Sequence, residues 1–78
     1  MPTYYSKDGL RIEMRTKEHG HGIPHVHAVY AGKSMSFDLS GEALIGDIDR
    51  RKKDEARAWI KAHTAFLMAK WKEMQENV

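Results

Sequence analysis

The period of the hydrophobic pattern changes once along these 78 residues, at about Asp49, and that change restricts the fold more than any other feature. Before it, Leu10, Ile12 and Met14 alternate with Arg11, Glu13 and Arg15, the period of two expected of a strand with one buried face. After it, Ala56, Trp59, Ile60, His63, Phe66, Leu67, Trp71 and Met74 recur at helical spacing. Strands followed by helices predict an α+β fold, a single domain over residues 1–78, with a small antiparallel sheet of three to four strands at about 10–48. One long or two shorter C-terminal helices, over about 50–76, would pack on one face of that sheet. A single helix of that length would run roughly 40 Å, more than so small a sheet can cover, so a break near Thr64 is favoured.

The first strand is read over 10–17. Two glycines and a proline in HGHGIP then break regular structure before a second strand at about His25–Tyr30. A two-residue turn at Ala31-Gly32 would set Tyr30 opposite Lys33, Ala28 opposite Met35 and Val26 opposite Phe37. Alanine is a poor first residue for such a turn, which needs a positive φ there. A slip by one residue would expose Phe37. Ser40-Gly41 marks a further turn, and ALIGDI reads as a short strand bent or bulged at Gly46. Asp49 is the expected cap of the helical region.

A chain this short has one modest core, and with no cysteine it has neither disulfides nor a thiolate zinc site. No apolar stretch reaches signal-peptide or membrane-spanning length, so a cytoplasmic protein without a membrane role is expected. The net charge of +2 is too small to imply nucleic acid by itself, although Arg50, Arg51, Lys52 and Lys53 form a local basic run.

Four of the five histidines, His19, His21, His25 and His27, fall within nine residues. In the proposed register His25 and His27 share the face opposite the core, with Asp38 across from His25 and Ser36 across from His27. The arrangement leaves three readings open. The imidazoles are solvated side chains beside a loop; or His21, His25 and His27 hold a divalent metal such as zinc, with Asp38 as a further ligand or as the acceptor that orients His25. In the third, His25, His27 and Asp38 perform metal-free acid–base catalysis, with Arg11 or Arg15 stabilising phosphoryl charge, a set suited to RNA cleavage. No phosphate-binding GxxxxGK[ST] loop, GxSxG elbow or HExxH helix is present.

Arg11, Arg15, Arg50 and Arg51 are the expected phosphate or partner contacts. Phe66, Leu67, Trp71 and Met74 form an apolar stripe suited to a protein partner or to a homo-oligomer if the last helix projects. Trp59 reads as core, and His63 as a packed or edge histidine.

The run from His21 to Gly46 resembles a family of small, mainly bacterial proteins catalogued as domain of unknown function 4160. That family has a pattern H-x-P-P-H-F-H-A followed by a hairpin. His21, Pro24, His25, His27, Ala28, Tyr30, Gly32, Asp38, Gly41 and Gly46 stand at corresponding places, with Ile23 for the first proline and Val26 for the phenylalanine. The likeness continues through the MPT start, Trp59 and Trp71, with Lys70 in place of an asparagine. His19 lies outside the pattern, which shifts weight to His21, His25 and His27. The resemblance implies no chemistry. It implies a setting, since such proteins often occur in two-gene arrangements similar to toxin and antitoxin modules, and so a partner-binding protein. The rival is a histidine-dependent ribonuclease or other hydrolase, with or without a metal, that uses the open sheet face.

Overall fold

A computed structural model describes residues 3–14 and 24–76, with Gln75 and Glu76 as backbone only. Five strands, β1 (Thr3–Lys7), β2 (Leu10–Glu13), β3 (His25–Tyr30), β4 (Lys33–Asp38) and β5 (Ala43–Gly46), form one sheet in sequential order, every neighbouring pair antiparallel. Two helices follow, α1 (Arg50–Ala62) and α2 (Thr64–Glu76).

The sheet has one strand more than the three to four expected. β1 joins β2 through Asp8-Gly9, whose φ values of 49° and 87° make the Asp-Gly hairpin turn that matches strand twist. The strand itself was hidden because its apolar residues do not alternate. Thr3 pairs with Glu13 and Tyr5 with Ile12, so Tyr4 is one residue too many, a bulge. Both tyrosines consequently reach the helices: Tyr5 packs on Trp59 with ring centroids 5.5 Å apart, and Tyr4 meets Phe66 edge-on at 5.4 Å. The first expected strand is correct from Leu10 to Glu13; its continuation from Arg15 lies outside the described residues.

The central hairpin has the expected register, from Tyr30↔Lys33 through Val26↔Phe37 to His25↔Asp38. Ala31 takes the left-handed conformation, φ 52°, ahead of Gly32 at 79°. In the β4–β5 pair, the register shifts between Met35 and Phe37, and Gly46 is the residue that approaches most closely. Its φ is +86°, and a Cβ there would fall 2.5 Å from the Ser34 carbonyl oxygen. Only glycine fits that approach.

One face of the sheet carries Leu10, Ile12, Val26, Ala28, Met35 and Phe37, all buried, and α1 covers it with Ala56 and Ile60. Asp49 caps α1, its Oδ2 accepting from the backbone N–H of Arg51 and Lys52 at 3.1 and 3.3 Å. The basic first turn is held by acids: Lys53 Nζ lies 2.8 Å from Asp47, and Lys52 lies 3.6 Å from Glu55 and over the Tyr30 ring. The Tyr5 hydroxyl donates to Glu55 at 2.5 Å. That bond raises the tyrosine's pKa and, with Lys52 nearby, lowers the carboxyl's.

The helical region breaks at His63, as expected. Thr64 Oγ donates to the Leu39 carbonyl at 2.8 Å, shared with the Ile60 carbonyl at 3.1 Å, which ties the break to the end of β4. The His63 N–H donates to the Ile60 carbonyl, and its ring stacks on Trp59 at 4.3 Å. Trp59 thus packs against the core as expected. Past the break, α2 does not project. Leu67 is completely buried in the core, so the expectation that it belongs to a partner surface is corrected. The physical reason is the unforeseen β1, whose Tyr4 supplies a wall for Phe66, while Trp71 packs on His25 at the start of β3.

Candidate functional site

On the face opposite the core, alternation along β3 brings His25 and His27 to the same side, and their rings meet edge-on with centroids 5.1 Å apart. The indole of Trp71 lies 5.4 Å from the His25 ring, so α2 reaches around the sheet end and completes a row of three rings, His27–His25–Trp71. Trp71 and both histidines are half-buried.

Each histidine has a strand neighbour in register. His27 stands between Glu13 on β2 and Ser36 on β4, both buried, at 8% and 7% exposure. Ser36 is drawn into the β5 irregularity: its Oγ accepts from the Ile45 N–H at 3.3 Å. Arg11 Nε lies 3.8 Å from a Glu13 carboxylate oxygen, so this arginine has an acid neighbour on its own strand.

Asp38 is the register neighbour of His25, as expected, but its carboxylate organises the β4–β5 turn. One oxygen, Oδ1, accepts from the Ser40 N–H at 2.9 Å, the Ser40 hydroxyl at 2.7 Å and the Glu42 N–H at 3.0 Å. The backbone closes the same turn, with Asp38 N–H donating to Glu42 and Gly41 N–H donating to Asp38. Partial burial pushes the Asp38 pKa up, yet the hydrogen bonds from Ser40, Glu42 and Gly41 outweigh it and hold the carboxyl below its ordinary value. Pro24, Asp38, Leu39, Ser40, Thr64 and Met68 enclose an apolar cleft of about 290 Å³ beside this turn.

Of the residues proposed from sequence for a metal, His25 and His27 are adjacent and His21 lies outside the described residues, as does Arg15. Among the described residues, no group of three His, Cys, Asp or Glu side chains is arranged to hold a metal ion. Arg50 and Arg51 are exposed at the start of α1, where the neighbouring Lys52 lies over Tyr30, at the other end of β3 from His25. Phe66 is 43% exposed beyond its contact with Tyr4, and Met74 packs half-buried against the core. Among the described residues, no helix is long and apolar enough to cross a membrane.

Sequence reasoning placed Glu13 on this face without a role, and it missed the contact of Trp71 with His25. The alternation of β2 carried the signal for Glu13. For Trp71 the helical stripe showed a buried side but not which strand it would meet.

No curated protein and no solved structure matches the chain. A family model described as a domain of unknown function, DUF4160, matches residues 9–72, from the β1–β2 turn into α2 and across every residue of the ring row. The chain therefore belongs to the DUF4160 family.

Proposed function

We propose that this chain is a partner-binding module, one component of a toxin/antitoxin-like or regulatory two-gene pair, and that the partner is recognised at the junction of the sheet with α2. One observation carries the reading: His25 lies between two other rings, His27 and Trp71, and one oxygen of the carboxylate in register with it, Asp38 Oδ1, accepts three hydrogen bonds in a turn. Aromatic side chains such as Trp71 are enriched at the centre of protein recognition surfaces with a polar rim, where a few anchors contribute most of the affinity. Met68, 50% exposed and one turn before Trp71 on α2, extends apolar surface beside it.

The test is sedimentation of the chain alone and mixed with the product of the gene beside its own. A defined complex supports the reading, and Trp71→Ala should weaken it about tenfold or more, the scale of an aromatic anchor. A chain that stays monomeric in both samples overturns it.

A second reading, a histidine-dependent ribonuclease or other hydrolase with or without a metal, is favoured by the row Glu13–His27–Ser36. There a buried carboxylate is in register with an imidazole. In this reading His27 is the acid or base, Glu13 takes the orienting role first considered for Asp38, and Arg11 and Arg15 stabilise phosphoryl charge. It requires that His27→Ala abolish RNA cleavage with the fold intact; equal cleavage by the variant excludes it. Elemental analysis of untagged protein, with melting curves in the presence and absence of chelator, tests for zinc or another divalent ion at His21, His25 and His27.

A further inference from the structure

We infer that the open edge of β5 is a docking edge for an extended, acid-flanked segment of a partner protein, which adds to the sheet as a sixth strand. Its carboxylates would rest on Arg57 and Lys61. This deepens the partner-binding reading and rests on it.

β5 is the last strand of the sheet, and all four of its residues are exposed. An edge strand presents backbone donors and acceptors along its outer side, and natural edges are commonly blunted by a charge or a proline within the strand. This one has an irregular register with β4, and the Ile45 N–H is taken by Ser36 Oγ at 3.3 Å, but it has no charge or proline within it and carries two adjacent large apolar residues, Leu44 at 40% and Ile45 at 78% exposure. Strand addition uses both properties at once: backbone bonds for affinity and alternate side chains for selectivity.

Where β5 begins, Gly41, Glu42, Ala43, Arg57 and Lys61 line a cleft of about 320 Å³. Arg57 and Lys61 are one helical turn apart on α1, a like-charge spacing that helices disfavour. Neither is ion-paired among the described residues, whereas Lys52, Lys53 and Lys70 each have an acid. Both are also held in place. Arg57 Nε donates to the Gly41 carbonyl at 3.2 Å, and its guanidinium lies 5.9 Å from the centre of the Phe37 ring. The Lys61 stem passes so close to Gly41 that a Cβ there would be 2.9 Å from its Cγ. Two positioned cations beside an edge strand suit a carboxylate, which arginine can grip through two parallel N–H bonds. Glu42, at the mouth of the cleft, leaves the pair's net charge positive.

The other end of β5 leads to the exposed Arg50 and Arg51, and both acids there have partners, Asp47 with Lys53 at 2.8 Å and Asp49 with the backbone N–H groups of Arg51 and Lys52. The edge is thus apolar in the middle and basic at both ends. Its complement is a strand with apolar residues flanked by acids. A second copy fits less well, because antiparallel pairing of β5 with itself sets Arg57 and Lys61 of one chain toward Arg50 and Arg51 of the other. A nucleic acid would use the cations and leave Ile45 without a partner.

The experiment titrates the chain with the neighbouring gene's product, using the wild type, Ile45→Asp, Lys61→Glu and the double variant Arg57→Glu/Lys61→Glu. Circular dichroism confirms each fold; Ile45 and Lys61 are exposed, so those two single variants keep the test available if the double variant misfolds. We expect each variant to lower affinity at least tenfold, and amide exchange over residues 43–46 to slow in the wild-type complex. A complex with unchanged affinity in all variants and unchanged exchange at 43–46 overturns the inference and leaves the module reading standing. Absence of any wild-type complex overturns both. Self-association of the wild type that Ile45→Asp abolishes would assign the edge to a second copy. Binding of a single-stranded RNA that is lost in Lys61→Glu and untouched in Ile45→Asp would assign the cations to phosphate. Either result overturns the inference.

Discussion

The hydroxyl of Thr64 donates to the carbonyl of Leu39 at 2.8 Å, joining the break between the two helices to the residue that follows the fourth strand. This bond ties the bend to the sheet, because it uses a side chain at the start of α2 to satisfy a carbonyl just past β4. Thr64→Val keeps the shape and removes the donor. It should cost about 1–3 kcal/mol in urea unfolding, the scale of a hydrogen-bonding group left unsatisfied, and Thr64→Ser should recover most of it.

Leu67 and Phe66 are neighbours in sequence with opposite environments. Leu67→Ala should destabilise by about 2–5 kcal/mol, as expected for an emptied core position. Phe66→Ala, half-exposed and in edge contact with Tyr4, should cost about 0.5–1.5 kcal/mol. Denaturation midpoints of the two variants check this, and equal losses would contradict the placement of α2.

Ala31 holds a left-handed conformation that costs an L-residue roughly 1–2 kcal/mol. Ala31→Asn, better suited to that conformation, should therefore raise stability by about 0.5–1 kcal/mol with no change in the hairpin. Thermal melting with amide NMR of β3 and β4 measures both parts.

Asp38 ties stability to pH. Its pKa is lowered in the folded state, so its contribution is complete above the unfolded value, near 3.8, and is lost as pH falls through the folded one. Melting temperature should drop more steeply with acidification from about pH 5 to about pH 2 in the wild type than in Asp38→Asn. Asp47 and Glu55, also lowered, titrate in both proteins, so the difference isolates Asp38. Parallel curves would mean that the turn bonds contribute nothing that depends on charge.

How much of this was legible in the sequence differs from element to element. The β3–β4 register was, because strict alternation leaves one pairing that buries Val26, Ala28, Met35 and Phe37 together, and Gly32 locates the turn. The helix break was legible from geometry, since one long helix would outrun the sheet. β1 was not: a bulge at Tyr4 sets adjacent tyrosines on the same side and erases the period on which recognition depends, although Asp8-Gly9 announced a turn. For the candidate site, the face and the partners of His25 and His27 could be read from pairing. The commitments of Asp38 and Trp71 could not, because they depend on how the chain curls after β4 and where α2 returns.

That same bulge has a consequence for the order of assembly. Tyr5 packs on α1 and Tyr4 on α2, so the first strand of the sheet clasps two helices made after all five strands. During synthesis Tyr5 waits uncovered until α1 has emerged and Tyr4 until α2 has, and the clasp closes across a long sequence separation, from residue 4 to residue 66. Contacts of that span slow folding, which makes β1 docking the expected late step and the amino-terminal strand the place where a bulky fusion would be felt at the opposite end of the chain.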